Sequence, residues 1–264
     1  MIRSIALGAF DGIHLAHQEL IRRVDGVVII ERGNGRLTPG FVREQYIAKP
    51  TFFYHFEKIK DLSAKEFVAM LKVDFPSLEK IVVGYDFHFG KNKEGGTALL
   101  KELFHKEVDV VEEIMLDGIS IHSRVIRETL EAGNIKVANR LLGRAYKICG
   151  IVIAGQGVGK KQLVPTINLK VQDYILPKEG VYVTQTVIDG ICYESVSFIG
   201  HRESTDGSFA VETHILDKDI QAVLERVEIV FLDFIRENRK FDDLDRLKKQ
   251  IDLDIKTARQ SNER

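Results

Sequence analysis

Cysteine is almost absent from this sequence. Cys149 and Cys192 are the only two, and they do not stand at metal-type spacing. That argues against a disulfide framework or a cysteine-built zinc site and for two reduced core thiols in the cytoplasm. An excess of charge is also missing. The 38 Lys and Arg residues against 39 Asp and Glu leave a formal net charge of −1 with no basic block, which argues against a dedicated nucleic-acid binder. No apolar run approaches membrane-spanning length and the N-terminus carries no secretory-signal pattern, so neither a membrane nor export is expected. There is no internal repeat and no low-complexity linker. What remains is an ordinary globular balance, 44% hydrophobic and 29% charged over 264 residues, enough for one large domain or two of usual size.

The chain is written in two grammars. In the first half, strand-like and helix-like segments alternate: "SIALGAF", helical "HQELIRRV", strand-like "GVVIIER", helical "SAKEFVAMLK", strand-like "KIVVGYDF", helical "GTALLKELFHK" and strand-like "VDVVEEI". Such alternation predicts a parallel sheet covered on both faces. "VIRETLEAGNIKVANRLLG" then gives two short helices parted by Gly133. From about Gly150 the segments are strand-like throughout ("CGIVIAG", "PTINLKV", "GVYVTQTVIDGICYESVSFIG", "FAVETHIL", "RVEIVFLDFI"), with Asp189-Gly190 as a hairpin turn. A closed or nearly closed antiparallel barrel follows. A helical tail places Phe241, Leu244, Leu247, Ile251 and Ile255 on one stripe. The expected domains are 1–145 and 146–264.

In "GAFDGIHLAHQEL", His14 and His17 sit one turn apart at the start of a helix, after a strand and a Gly-containing turn. No Cys or His partner stands at metal spacing, so a zinc site is not expected. Packed or solvated histidines are one reading. A phosphate clamp is the other, because helix N-terminal N–H groups attract anions and imidazole donors would add to them. In "VVGYDFHFGKNKEGG" a buried strand runs into an aromatic, glycine-rich loop, as a ligand site at the C-terminal edge of a parallel sheet requires. Arg127, near another helix start, could hold a phosphate bidentately.

Together, "FDGIHLAH", "GYDFHFG" and "IHSRVIR" resemble the adenylyltransferase half of the bacterial bifunctional riboflavin kinase/FAD synthetase family. The resemblance implies an α/β, Rossmann-like nucleotidylyltransferase domain. It implies that His14 and His17 stabilise the ATP phosphates, with Gly8, Phe10, Asp86 and Arg127 at the nucleotide. The sequence departs from the family pattern at Ala16 (Gly in the family), Lys93 (Arg), and His122 and Arg124 (Ser or Thr). The stretch from Asn34 to Phe56 is also short.

In the second half, "GQGVGKKQLVPTINL" fails as a P-loop because Lys161 replaces the required Ser/Thr and Ala154 the first glycine. "PTIN" is sharper: on a strand, Thr166 and Asn168 share a face and offer two hard oxygens to Mg²⁺ or a nucleotide. "FAVETHILD" places Ala210, Glu212 and His214 on one face and Phe209, Val211, Thr213 and Ile215 on the other. Glu212, flanked by apolar partners, is either a general base or a salt-bridged surface residue.

The order from Gly157–Lys160 through Pro165–Asn168, Leu176–Tyr182 and Val211–Asp217 to Arg236–Asp254 resembles the riboflavin kinase half of the same family. The resemblance implies an antiparallel barrel with a C-terminal helix, Mg²⁺ on Thr166 and Asn168, and Gly159 and Lys160 by the ATP phosphates. It further implies Glu212 as base on the ribityl hydroxyl and Arg236 toward the flavin. The departures here are Leu163, Ile167 and the run "SFIGHREST". The expected function is phosphorylation of riboflavin to FMN and adenylylation of FMN to FAD. ATP, riboflavin and FMN are then the small-molecule partners. The alternatives are a monofunctional kinase with a decayed first half and a flavin-binding module without turnover.

Overall fold

The computed structural model describes residues 1–33, 36–154, 164–204, 206–218 and 225–262. They form two compact units, 1–125 and 126–264.

The first unit is built on a five-stranded parallel sheet of β1 (Ser4–Gly8), β2 (Gly26–Glu31), β3 (Thr51–His55), β4 (Lys80–Gly84) and β5 (Glu107–Val111), in the order β3-β2-β1-β4-β5. The connecting helices include α1 (Leu15–Arg22), α2 (Phe56–Ile59), α3 (Ala64–Asp74) and α4 (Thr97–Phe104). Successive strand residues feed opposite faces. Ile5, Leu7, Ile81 and Val83 join Phe67 and Leu71 of α3, while Ala6, Val82, Val27 and Ile29 join Leu20 and Ile21 of α1. Both faces are therefore dry, which is why the central strands read as unbroken apolar runs. Ser63 starts α3 with a capping box: its hydroxyl accepts from Glu66 N, and the Glu66 carboxylate accepts from Ser63 N at 2.8 Å. The sequence pattern did not show β3, or the small hairpin of β6 (Met115–Leu116) and β7 (Ile119–Ser120).

The second unit begins inside α5 (Ser123–Glu131) and continues with α6 (Ile135–Leu142). A closed antiparallel barrel follows, from β8 (Tyr146–Ile153), β9 (Ile167–Val171), β10 (Gly180–Ile188), β11 (Ile191–His201), β12 (Phe209–Ile215) and β13 (Arg226–Glu237). The barrel order is β10-β11-β12-β9-β8-β13. Asp189 and Gly190 both have positive φ, 48° and 79°, as the hairpin they close requires. Thr184, Thr186, Ser195, Ser197 and Thr213 lie fully buried and satisfy one another through hydroxyl contacts of 2.7–3.0 Å.

The compact units divide at Val125, ahead of the change of grammar near 145, and α6 sides with the barrel. Its Ile135, Ala138, Leu141 and Leu142 are buried, and Asn139 donates to the Phe231 carbonyl while accepting from Tyr146 N. The C-terminal helix α7 (Leu244–Asn262) leaves Leu244 exposed and buries Asp254 and Ala258, so its inward face starts later than the stripe suggested. Phe209 is 47% exposed, its ring edge-on to His201 instead of in the core, and Cys192 is exposed rather than in the core. Among the described residues no helix is long and apolar enough to cross a membrane.

A truncation tests the role of α6. Residues 126–264 should unfold at higher denaturant than residues 146–264. The shorter chain loses both Asn139 hydrogen bonds, about 1 kcal/mol each, together with the buried face of α6. Equal midpoints would show α6 to be dispensable.

Candidate active sites

In the sheet, β1 connects toward β2 and β3 on one side, while β4 and β5 lie on the other. Strand order thus reverses between β1 and β4, and the crevice beyond their carboxyl ends is where such sheets bind ligands. Two of the three sequence motifs of the first half leave the sheet there, the loop 9–14 from β1 and the loop 85–90 from β4.

The first loop is held in an unusual conformation. Phe10, Gly12 and Ile13 all have positive φ, at 49°, 90° and 40°. For a β-branched residue like Ile13 that is strained, on the order of 1–3 kcal/mol. Gly8 permits it: a Cβ there would stand 3.3 Å from the Phe10 ring, which folds back beneath the loop and is buried. Asp11, also buried, fixes the turn from the side. Its carboxylate accepts from Thr38 N at 3.1 Å, Thr38 Oγ1 accepts from Gly12 N at 2.8 Å, and Ser123 Oγ donates to the Asp11 carbonyl at 2.7 Å.

His14 follows as the N-cap of α1. Its Nδ1 accepts the His17 N–H at 3.3 Å, so in the neutral ring the proton sits on Nε2. The two imidazoles stack with centroids 3.5 Å apart, and Phe10 meets His17 edge-on at 5.1 Å. His14 is 3% exposed and His17 half-buried. The sequence pair is thus a stacked pair of imidazoles at a helix N-terminus.

Beyond β4, Phe87 and Phe89 stack inward, and a bridge between Phe89 and Gly95 closes the loop. Beside it lies a cavity of about 350 Å³ with Phe56, Phe67 and Phe89 among its walls and Arg32, Lys60 and Lys93 among its cations. The motif spacing did not show this chamber, although Lys93 and Phe89 belong to the loop it singled out. Asp86 is exposed, 4.0 Å from His122, whose ring also lies 3.0 Å from the Tyr85 hydroxyl and 3.8 Å from Glu113. Desolvation, with the Glu113 and Asp86 carboxylates adding to it, raises the Tyr85 hydroxyl above the ordinary phenol range. Arg127 stands one turn beyond Ser123 on α5, in the second compact unit.

The second site lies on the outer face of the barrel. β12 and β9 pair at only two positions, Glu212 with Asn168 and Thr213 with Ile167. The first pair faces outward, while Thr213 points into the hydroxyl cluster. His214 Nδ1 donates to the Pro165 carbonyl at 2.7 Å, holding the segment that carries Thr166 against β12. Phe198 of β11 stands opposite Glu212, and an ion pair adds to this apolar neighbour. Arg202 reaches Glu212 from the end of β11, with Nε at 2.9 Å and Nη2 at 2.6 Å from Oε1, and Nη2 also donates to Asn168 Oδ1 at 2.7 Å. Gly200, at φ 143°, has no Cβ because Glu179 would stand 2.7 Å from it; that carboxylate instead accepts from His201 N.

Arg236 is engaged along one edge by Asp254 of α7, at 2.8–3.0 Å, and donates to the Glu237 carbonyl. Gly159 and Lys160 lie outside the described residues, as does most of the rejected P-loop stretch. Sequence reasoning did not reach Arg202 or Thr38, since only the fold brings them to their partners.

Known proteins share this pair of sites' framework. Residues 142–262 match the family model described as riboflavin kinase, and residues 42–125 match that described as FAD synthetase. A bifunctional riboflavin kinase/FMN adenylyltransferase of Pseudomonas fluorescens is 30% identical, aligned over 96% of this chain and 91% of that protein. One from Haemophilus influenzae is 28% identical, over 97% and 93%. A solved structure described as a macrolide-efflux protein from Streptococcus pneumoniae superposes with a TM-score of 0.86 at 28% identity, covering 97% of this chain and 93% of that one.

The cap geometry of His14 has a measurable consequence. His14→Ala should destabilise the first unit by about 0.5–2 kcal/mol in denaturant titration, whereas His14→Asn, which can still cap, should lose only a few tenths. Equal losses would show that capping is not what His14 supplies to stability.

Proposed function

The chain belongs to the bifunctional riboflavin kinase/FMN adenylyltransferase family, and we infer from this that it phosphorylates riboflavin to FMN with one ATP and adenylylates FMN to FAD with a second. The observation that supports the division most directly is the contrast between the two sites. One offers a carboxylate beside an asparagine on a barrel face, the other a stacked histidine pair at a helix N-terminus.

That contrast matches the two reactions. In the kinase step the nucleophile is a primary alcohol, which is weak until its proton is removed. Glu212 is the general base: it takes the ribityl hydroxyl proton as that oxygen bonds to the γ-phosphorus and ADP departs. Thr166 and Asn168 face the nucleotide, with Gly159 and Lys160 assigned to its phosphates. The donor set fits a divalent cation carried in by ATP. Asn168 Oδ1 already accepts from a cationic group at 2.7 Å, Thr166 adds a second hard oxygen, and among the described residues no acidic or histidine cluster could hold a metal unaided. Mg²⁺ bound there would neutralise phosphate charge, and Asn168 and Thr166 would orient it. Arg236, paired with Asp254, anchors α7, and the family resemblance assigns it to the flavin.

In the adenylylation step the nucleophile is an FMN phosphate oxygen, already ionised near neutral pH, so no base is needed. It bonds to the α-phosphorus of ATP, and pyrophosphate leaves with its electron pair. The requirement is stabilisation of phosphate charge, which the α1 N-terminus and the His14 and His17 donors supply. Gly8 and Phe10 shape that loop, Asp86 lies at its neighbour, and the family resemblance assigns Arg127 to the nucleotide. The aromatic chamber with its cationic rim suits FMN, a flat ring bearing a phosphate. A cytoplasmic setting accords with ATP as donor and with two free thiols.

One assay tests the whole reading. Riboflavin, Mg²⁺ and ATP are supplied and the products separated by chromatography; FMN and FAD should both form. His17→Ala should abolish most FAD while FMN continues to accumulate. Glu212→Gln should lower FMN formation roughly 10²–10⁴-fold while FAD still forms from supplied FMN. Accumulation of FMN alone by the unmodified chain would favour a monofunctional kinase, and no product at all a flavin-binding module.

A further inference from the structure

Arg202 belongs to none of the assigned roles, yet its side chain is bonded to three partners at the kinase site. Besides Glu212 and Asn168, its Nη1 donates to Ser208 Oγ at 2.7 Å. Its own backbone is pinned, because Arg202 N donates to the Ser208 carbonyl at 2.9 Å and Gly207 N donates back to the Arg202 carbonyl at 3.1 Å. Both Arg202 and Glu212 are largely shielded, with side chains 18% and 20% exposed. Holding two long side chains in one geometry at a rim costs conformational entropy, so a surface pair of this kind needs a reason beyond charge.

The pattern of contacts gives one. Arg202 does not grip the carboxylate with parallel bonds to both oxygens. Nε and Nη2 converge on Oε1 alone, and among the described residues Oε2 has no hydrogen-bond partner. A single oxygen bonded twice fixes the rotation of the carboxylate and leaves the other as the acceptor. The same Nη2 also reaches Asn168, so one planar group sets the base relative to the nucleotide side.

We propose that Arg202 is a positioning residue for phosphoryl transfer, fixing Glu212 through Oε1 so that Oε2 receives the ribityl hydroxyl proton, and locking that base to Asn168. The step is the one already described: the O–H proton passes to Oε2, the oxygen–phosphorus bond forms, and the bond to the ADP oxygen breaks. This rests on Glu212 being the base. A lysine cannot replace Arg202, since an ammonium lacks the planar fork that spans three partners.

The test uses the full chain. In Arg202→Ala the kinase kcat should fall about 10–100-fold, within the range a positioned base contributes, while the riboflavin Kd from flavin fluorescence stays within about threefold. Millimolar guanidinium should restore part of the lost kcat, a response that a purely structural arginine would not give. Arg202→Lys should fold and bind riboflavin normally, yet remain slow and insensitive to guanidinium, which keeps the question answerable if the alanine variant is unstable. Adding Arg202→Ala to Glu212→Gln should slow the kinase no further, within about twofold, because both act through one group. Wild-type turnover in either Arg202 variant, a parallel loss of flavin binding, or full additivity with Glu212→Gln would each overturn the proposal. If Glu212→Gln itself kept normal turnover, the assignment of the base would fall instead, a result distinguishable from all of these.

Discussion

Two residue pairs join β12 to β9, and the barrel's closure and its outer-face site both depend on them. Glu212 opposite Asn168 places a carboxylate and an amide on the same outward face, while Thr213 opposite Ile167 turns inward to the buried hydroxyls. Longer pairings carry the rest of the barrel: β10 and β11 match without a break from Gly180–Ile199 to Ile188–Ile191. A seam this short leaves room for a segment such as Pro165–Thr166 to leave the sheet beside Glu212. It also needs reinforcement from outside the ladder. His214 bonded to Pro165, and Arg202 bridging Asn168 and Glu212, supply it with side chains.

The first unit solves the same problem by backbone strain. Its site forms where β1 and β4 stop and strand order reverses, and the loop after β1 must turn sharply enough to start α1 at once. Positive φ at Phe10 and Ile13 is the means, and the strain persists because distant groups hold the loop: Thr38 on the Asp11 carboxylate, Ser123 on its carbonyl, the Phe10 ring beneath Gly8. The proposed phosphate site would gain from such rigidity, because preorganised donors need no reorganisation when charge develops. At the barrel site, by contrast, the geometry that matters is that of a carboxylate, which a guanidinium can set without straining any backbone.

These differences explain what could be read from the sequence. The change from mixed to strand-only patterning was visible because apolar period reports burial on one face or two, and the parallel sheet and barrel followed from it. Helices α3, α4, α5 and α6 were marked by periodicity, with Gly133 parting the last two. β3 was not, because "TFFYH" is a short aromatic stretch on an edge strand whose residues are only half-buried. The exposure of Leu244 and Phe209 follows from where helix and strand enter the fold, which periodicity alone does not fix. Among the site residues, His14, His17, Glu212, Thr166 and Asn168 stand in local motifs. Arg202 and Thr38 act across long sequence separations, and Phe56 and Lys60 line a chamber formed only when loops meet.

The hydroxyl cluster inside the barrel shows why the outer face can carry chemistry at all. Thr184, Thr186, Ser195, Ser197 and Thr213 replace apolar packing with a closed set of mutual hydrogen bonds. Fully satisfied, such a network is directional in a way that methyl packing is not, so it resists rotation and slippage of β10, β11 and β12. Thr213 is the member next to Glu212, and every strand residue alternates faces. Fixing Thr213 inward therefore fixes Glu212 outward. A one-residue slip of β12 would exchange the two, burying a carboxylate among hydroxyls and exposing a threonine at the site. The buried polar core thus holds the register on which the outward position of Glu212 depends.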